Sequence, residues 1–208
     1  MTRLSSIEHI LACIHELPPG IRKLVAIAGP PGAGKSTLAE DVTAALNGRT
    51  AGTATILPMD GFHYDDSVLS ELKLTGKKGS PPSFDVDGFA HMLRRLRAHD
   101  DRPVAIPTFD RGLEISRAGA RLVQPAVTTL IVEGNYLLLD QDGWRDLKPL
   151  FDLTMMITCD RAVLEQRLID RWLSYGFSRE EACKKVHEND LVNVDIVLSQ
   201  SLKADLTV

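Results

Sequence analysis

Leu24-Val25-Ala26-Ile27-Ala28-Gly29-Pro30-Pro31-Gly32-Ala33-Gly34-Lys35-Ser36-Thr37 is the stretch that decides the fold. Its first five residues are a continuous apolar run, as in a strand buried on both faces. The next nine fit G-x-x-x-x-G-K-[ST] at Gly29, Gly34, Lys35 and Ser36. A helical pattern over Lys35–Asn47 follows. Glycines let the backbone wind so that successive N–H groups converge on phosphate oxygens, and the helix adds unpaired N–H groups and a positive dipole end. Lys35 can reach the outer phosphates, and the Ser36 hydroxyl can ligate Mg²⁺. The whole segment Gly29, Pro30, Pro31, Gly32, Ala33, Gly34, Lys35, Ser36 and Thr37 therefore reads as a nucleotide-phosphate site.

Outward from it, strand-like runs alternate with helical patterns. Ala54–Met59, Val104–Thr108, Thr128–Val132 and Leu153–Thr158 are the further strands, and Ala204–Val208 is placed to close the sheet. Pro107 marks Val104–Thr108 as an edge or a strand end. Helices are predicted at Gly88–Ala98, Arg161–Ser174 and Ser178–Ser199, the last opening on a Ser178–Glu181 capping-box spacing. This order predicts an α/β three-layer fold of the P-loop NTPase type, a mostly parallel sheet flanked by helices. One domain over residues 1–208 is expected, with an N-terminal helix in 1–20 and an insertion over the substrate site at 61–87.

Composition narrows the function classes. Lys and Arg number 24 against 28 Asp and Glu, so the net charge of −4 argues against a nucleic-acid coat. Aromatic residues are 5% of the chain, too few for a stacking track along a single strand. Cys13, Cys159 and Cys183 show no metal-ligand spacing and read as reduced thiols, which fits a cytoplasmic protein. The N-terminal segment, with Leu4, Ile7, Leu11, Ile14 and Leu17 at helical spacing, is an amphipathic helix and not a secretion signal. No apolar run is long enough to span a bilayer.

Two acids stand at strand ends. Asp60, in Met59-Asp60-Gly61-Phe62-His63-Tyr64, follows the second strand and projects toward the ligand crevice of an α/β sheet. It is the candidate general base for an acceptor hydroxyl, with a possible second role at the metal; the alternative is a strand-end turn. His63 and Tyr64 beside it are acceptor-binding candidates. Glu133, in Thr128–Tyr136, resembles the acid of a Walker B strand and would meet Mg²⁺ directly or through water. Asn135 and Tyr136 after it complete the acceptor set with Phe84 and Arg111.

The ordered segments GPPGAGKST, MDGFHYDD, KGSPPSFD and IVEGNYLLLD resemble the phosphoribulokinase/uridine kinase family of P-loop kinases, which includes bacterial pantothenate kinases. The resemblance spans roughly residues 21–200. EGNYLLLD followed by Trp144 and RLIDRW is most similar to a bacterial subgroup known as fructose transport system kinases, or fructokinases. The resemblance implies an enzyme that phosphorylates a metabolite hydroxyl with ATP and Mg²⁺, with Asp60 as base. It further implies a lid over 160–177 with arginines on the helix after the last core strand, here Arg167 and Arg171, with Arg161 a lesser candidate. Four apart, Arg167 and Arg171 share a helix face, as a phosphate clamp or as a solvated basic stripe. Arg111 would meet the acceptor or make a loop salt bridge. Lys77, Lys78 and Asp85 are further acceptor-pocket candidates, and Asn189, Asp190 and Asn193 would frame adenine or simply shape a helix end. Dimers are common in the family.

The reaction expected is transfer of the γ-phosphoryl group of ATP to a sugar-like hydroxyl, fructose first, with pantothenate or a nucleoside as alternative acceptors. From another class, a non-catalytic nucleotide switch or transporter regulator would keep Lys35 and Ser36 without needing Asp60. A guanine-specific GTPase would carry N-K-x-D, which the chain lacks.

Overall fold

The computed structural model describes residues 3–20, 22–98 and 100–208, with side chains from residue 6 onward. Met1 and Thr2 of the N-terminal segment, Ile21 and His99 lie outside the described residues.

Five strands form a parallel sheet: β1 (Lys23–Ala28), β2 (Ala54–Pro58), β5 (Thr129–Gly134), β6 (Leu153–Met156) and β7 (Leu206–Thr207). Their order is β2-β5-β1-β6-β7. The central strands are apolar on both sides because both faces are covered. Leu24, Ala26 and Ala28 pack with Leu57, Leu130, Val132 and helix α4 (Val86–Ala98) through Phe89, Leu93 and Leu96. Val25 and Ile27 point the other way. There they meet α1 (Arg3–Glu16), α2 (Lys35–Arg49) and α5 (Arg161–Ser174) through Ile10, Ile14, Ala39, Val42, Leu164 and Leu168. Alternate residues of one strand thus feed two cores, which gives the three predicted layers.

Arg22, just before β1, is a fully buried pin at 1% exposure. Its guanidinium donates to the carbonyls of Val127 (2.7 Å), Leu96 (3.0 Å) and Gln124 (3.1 Å), tying the end of α4 and the approach to β5 to the start of β1.

Two expectations need correction. Val104–Thr108 does not enter the parallel sheet. Its strand, β3 (Val104–Asp110), pairs antiparallel with β4 (Ile115–Val123) in a separate two-stranded ribbon, with the register shift falling at Pro107. β4 carries no apolar run, since its stability comes from the cross-strand ladder and most of its residues are exposed. The long final helix is also not continuous. It divides into α6 (Arg179–Lys185), a π turn at Val186–Asp190 and α7 (Leu191–Gln200). The π turn keeps both Asp190, four after Val186, and Leu191, five after it, in buried positions. The Ser178 capping box opens α6 with both reciprocal bonds present. Segment 61–87 contains the short helix α3 (Asp66–Glu71) between tight turns.

Candidate active site

β1, β2 and β5 end at one edge of the sheet, with Ala28 in register with Gly134 and Pro58 with Glu133. This is the carboxyl edge, where parallel sheets bind ligands. The loop after β1 bonds to itself, Ala33 N–H donating to Pro30 O at 3.2 Å. It then enters α2 through Gly34, whose φ of 93° needs a residue without Cβ. No side chain caps α2. Its first N–H groups are thereby left for an anion.

Lys35 is 8% exposed, and its ammonium donates to Pro30 O at 3.0 Å instead of meeting a carboxylate. Burial lowers its pKa to about 8, while Glu133 and Asp60 nearby act in the opposite direction. A buried cation cradled by backbone dipoles fits an anionic ligand that would restore its charge. Glu133 is raised above the ordinary carboxylate range by burial and by Asp60, with Lys35 and the Ser36 hydrogen bond opposing. The Ser36 hydroxyl donates to Glu133 Oε2 at 3.3 Å. This hydroxyl–carboxylate pair fits Mg²⁺, which commonly takes one or two protein oxygens and completes its shell with phosphates and water.

Asp60 lies in the tight turn Met59–Phe62 directly after β2. Two close approaches fix that turn. Gly134 passes so near that a Cβ there would lie 2.5 Å from Met59 Cβ. On the other side a Cβ at Gly61 would lie 2.7 Å from Pro107 O, and the Ser116 hydroxyl donates to Gly61 O. The β3–β4 ribbon therefore docks on the turn that carries the acid. From the ribbon's turn, Arg111 Nη2 donates to Asp60 Oδ2 at 2.6 Å.

Lys35, Ser36, Asp60 and Glu133 face one cavity of about 800 Å³. His63, Phe84 and Phe109 form an aromatic side of it, with His63 ring centroids 3.9 Å from Phe84 and 4.7 Å from Phe109. Burial lowers the His63 pKa, favouring the neutral ring. Its Nδ1 is 2.9 Å from Asp60 O and must donate there, which leaves Nε2 as an acceptor. α5 and the π turn add Arg167, Arg171, Trp172, Asn189 and Asp190 to the lining. A second cleft of about 470 Å³ adjoins the far side of the phosphate loop, between Thr37, Leu38, Ile157, Arg167 and Val208.

No family model matches the sequence. The "putative uridine kinase" of Schizosaccharomyces pombe is 32% identical over 194 residues, covering 90% of this chain and 83% of that protein. The chain belongs to the uridine kinase-like P-loop kinases. It is an ATP-dependent phosphotransferase of that family. The uncharacterized protein YggC of Escherichia coli is 35% identical over 202 residues, 96% of this chain and 83% of that one. The crystal structure of a "putative fructose transport system kinase" from Silicibacter sp. TM1040 matches with a TM-score of 0.91 at 40% identity, covering 100% of this chain and 99% of that one.

Within this kinase the sequence candidates divide. Pro31, Gly32, Gly34, Lys35, Ser36, Thr37, Asp60, His63, Phe84, Arg111, Glu133, Asn135, Arg167 and Arg171 all line the larger cavity. Gly29 and Pro30 are buried under the loop, and Ala33 borders the second cleft. Tyr64 and Tyr136 do not line the larger cavity. Tyr136 is 0% exposed, packs on Phe84 and Trp144, and donates its hydroxyl to Gly79 O at 2.6 Å. Tyr64 N–H bonds Ser83 O, outside the cavity wall. Arg161 is paired with Asp195 at 2.9 Å and is not on the wall. Lys77 is absent from the wall too, whereas Lys78 lines it. Asp85 accepts from Gly88 N–H at the start of α4. Asn189, Asp190 and Asn193 line the cavity that holds Asp60, not the second cleft. Trp172, Tyr175 and Phe109 also line it. For Tyr175 the signal was present, at one more helical step of four beyond Arg171.

Proposed function

We propose that this kinase transfers the γ-phosphoryl group of ATP to a hydroxyl of a sugar or sugar-like metabolite, with fructose as the first candidate. The observation that carries the reading is that Lys35 and Asp60 face one cavity. A group held on the phosphate loop there lies before a carboxylate that can accept a proton. The polar lining suits a polyol: Asp60, Asn135 and Arg111 offer both donors and acceptors, and His63 Nε2 offers a fixed acceptor. The 40% identical neighbour described as a fructose transport system kinase supports fructose over other polyols.

In the proposed mechanism Asp60 orients the acceptor hydroxyl and takes its proton. Arg111 holds the carboxylate in place through Oδ2, leaving its other oxygen for the acceptor. Lys35 and the α2 amides stabilise the phosphate oxygens, and Arg171 and Arg167 offset charge on the transferring group. Ser36 and Glu133 would hold Mg²⁺, which neutralises charge on the phosphates when bound. The base of ATP is assigned to the second cleft, where Leu38, Ile157 and Val208 supply apolar contacts and the Arg167 guanidinium a planar cover.

A nucleoside acceptor is the second reading. It is favoured by the His63–Phe84–Phe109 ring cluster, which could stack a flat base. The test is ADP release from ATP and Mg²⁺ over a panel of ketoses, aldoses, uridine, cytidine and pantothenate. Release with fructose well above the water background supports the sugar reading, and release with uridine alone moves the assignment to nucleosides. Slow hydrolysis that no acceptor stimulates would indicate a nucleotide switch.

A further inference from the structure

Asp190 is a carboxylate with 10% side-chain exposure at the end of the π turn, lining the same cavity as Asp60. Its two oxygens divide their work. Oδ2 accepts from Trp172 Nε1 at 2.6 Å, and Oδ1 faces Arg171 Nη2 at 3.4 Å. Trp172 and Arg171 are adjacent on α5, and the Arg171 guanidinium lies over the Trp172 ring at 5.7 Å. The indole bond is short and fixes the carboxylate; the carboxylate then faces the guanidinium. Arg171 Nε is buried without a hydrogen-bond partner among the described residues, so this interaction on Nη2 orients the fork. The neighbouring Asn189 donates to the carbonyl of Lys78 at 3.1 Å, anchoring the same turn to segment 61–87. The extra residue of the π turn is what brings Asn189 and Asp190 to these two partners on different elements.

We infer that Asp190 is a positioning residue: seated by Trp172, it aims the Arg171 guanidinium at the transferring phosphoryl group. Resting on the proposed role of Arg171, the inference adds the device that holds that arginine. A pair that orients a phosphate-binding guanidinium acts through geometry, and a displacement of about 1 Å at a catalytic group costs up to about 100-fold.

Asp190→Asn is the variant of choice, because the amide oxygen can still accept from Trp172 while its NH₂ replaces the anion facing Arg171. The probe is ADP with aluminium fluoride and Mg²⁺, which places a phosphoryl-transfer mimic on the loop without requiring a known acceptor. Its affinity relative to ADP alone is measured for wild type, Asp190→Asn, Arg171→Ala and the double variant, with melting temperature as a check on folding. Both single variants should lose between about tenfold and 100-fold of that preference, and the double variant should lose no more than the larger single loss. ADP affinity and melting temperature should hold. Should Arg171→Ala lose the preference while Asp190→Asn keeps it, or should the two losses multiply, the positioning inference is overturned and the lid assignment stands. An Arg171→Ala variant with full preference would overturn the lid assignment itself, and this inference with it. A preference lost in Asp190→Asn together with a lowered melting temperature, and not recovered in Asp190→Glu, would make the role structural and also overturn the inference.

Discussion

The two ends of the cavity are built differently. The phosphate end stands on β1, where Leu24 through Ala28 are 0% exposed, and its loop is held by backbone bonds and by α2. The acceptor end rests on segment 61–87 and the β3–β4 ribbon, which send Phe62, Phe84, Val104 and Ile106 into the core but hold their outer turns by side-chain contacts. Lys78 reaches Asp66 at 2.7 Å and Glu114 O at 2.6 Å, Arg117 meets Asp110 at 3.2 Å, and Arg111 meets Asp60 while 58% exposed. Exposed pairs of this kind contribute roughly 0–1 kcal/mol each. The first end is fixed throughout by the core, whereas at the second the outer turns rest on such pairs around a buried base. In the proposed mechanism the phosphate chemistry sits at the first and the choice of acceptor at the second.

The sharpest break of this contrast is Asp60→Asn, which belongs to both ends. Transfer should fall about 10²–10⁴-fold while ATP affinity stays within a few-fold. Retained transfer, followed as ADP release with the best acceptor, would mean that another group is the base. Lys35→Ala comes next: turnover should fall about 10²–10³-fold, and ATP binding by calorimetry should weaken with it. Near-normal binding would remove the phosphate-loop assignment.

A pH titration sharpens the same point. With its pKa lowered from 10.5 to about 8, Lys35 loses its proton in the free protein as pH rises past 8. ATP affinity should therefore decline above pH 8, by at most about tenfold per pH unit, and should not do so in Lys35→Gln. The linkage has the opposite sign for folding. Between pH 8 and 10.5 the unfolded chain holds a proton that the folded chain has released, so this group adds stability as pH rises through that window.

The smallest effects concern stability. Arg22→Ala strands two buried carbonyls and a half-buried one, and should cost about 3 kcal/mol. Lys78→Ala at the acceptor end should cost about 1 kcal/mol or less. Urea unfolding of both variants checks the ratio, and equal losses would contradict the difference between the ends.

The same contrast explains what the sequence disclosed. β1, the phosphate loop and α2 are contiguous, so their chemistry is local and legible. Asp60 and Glu133 were legible because an acid closing an apolar strand has few places to go in a parallel sheet. The β4 strand was not, because its partner supplies its structure and its own residues are polar. Tyr136 shows a different limit. It follows the strand end as closely as Asn135 does, yet one residue faces the cavity and the next enters the core, a choice made by Phe84 and Trp144 packing from elsewhere. The π turn left one trace, the five-residue gap between Val186 and Leu191, which a single helical period passes over.

The docking of the ribbon on Gly61 has an evolutionary consequence. With Pro107 and Ser116 pressed against the turn that bears Asp60, a drift in the ribbon that admits a new metabolite would also shift the proposed proton acceptor. On the proposed roles, substrate range and turnover are geared together in this scaffold: a lineage recruited to a different acceptor would begin slow, and would recover speed by compensating changes around residues 59–61.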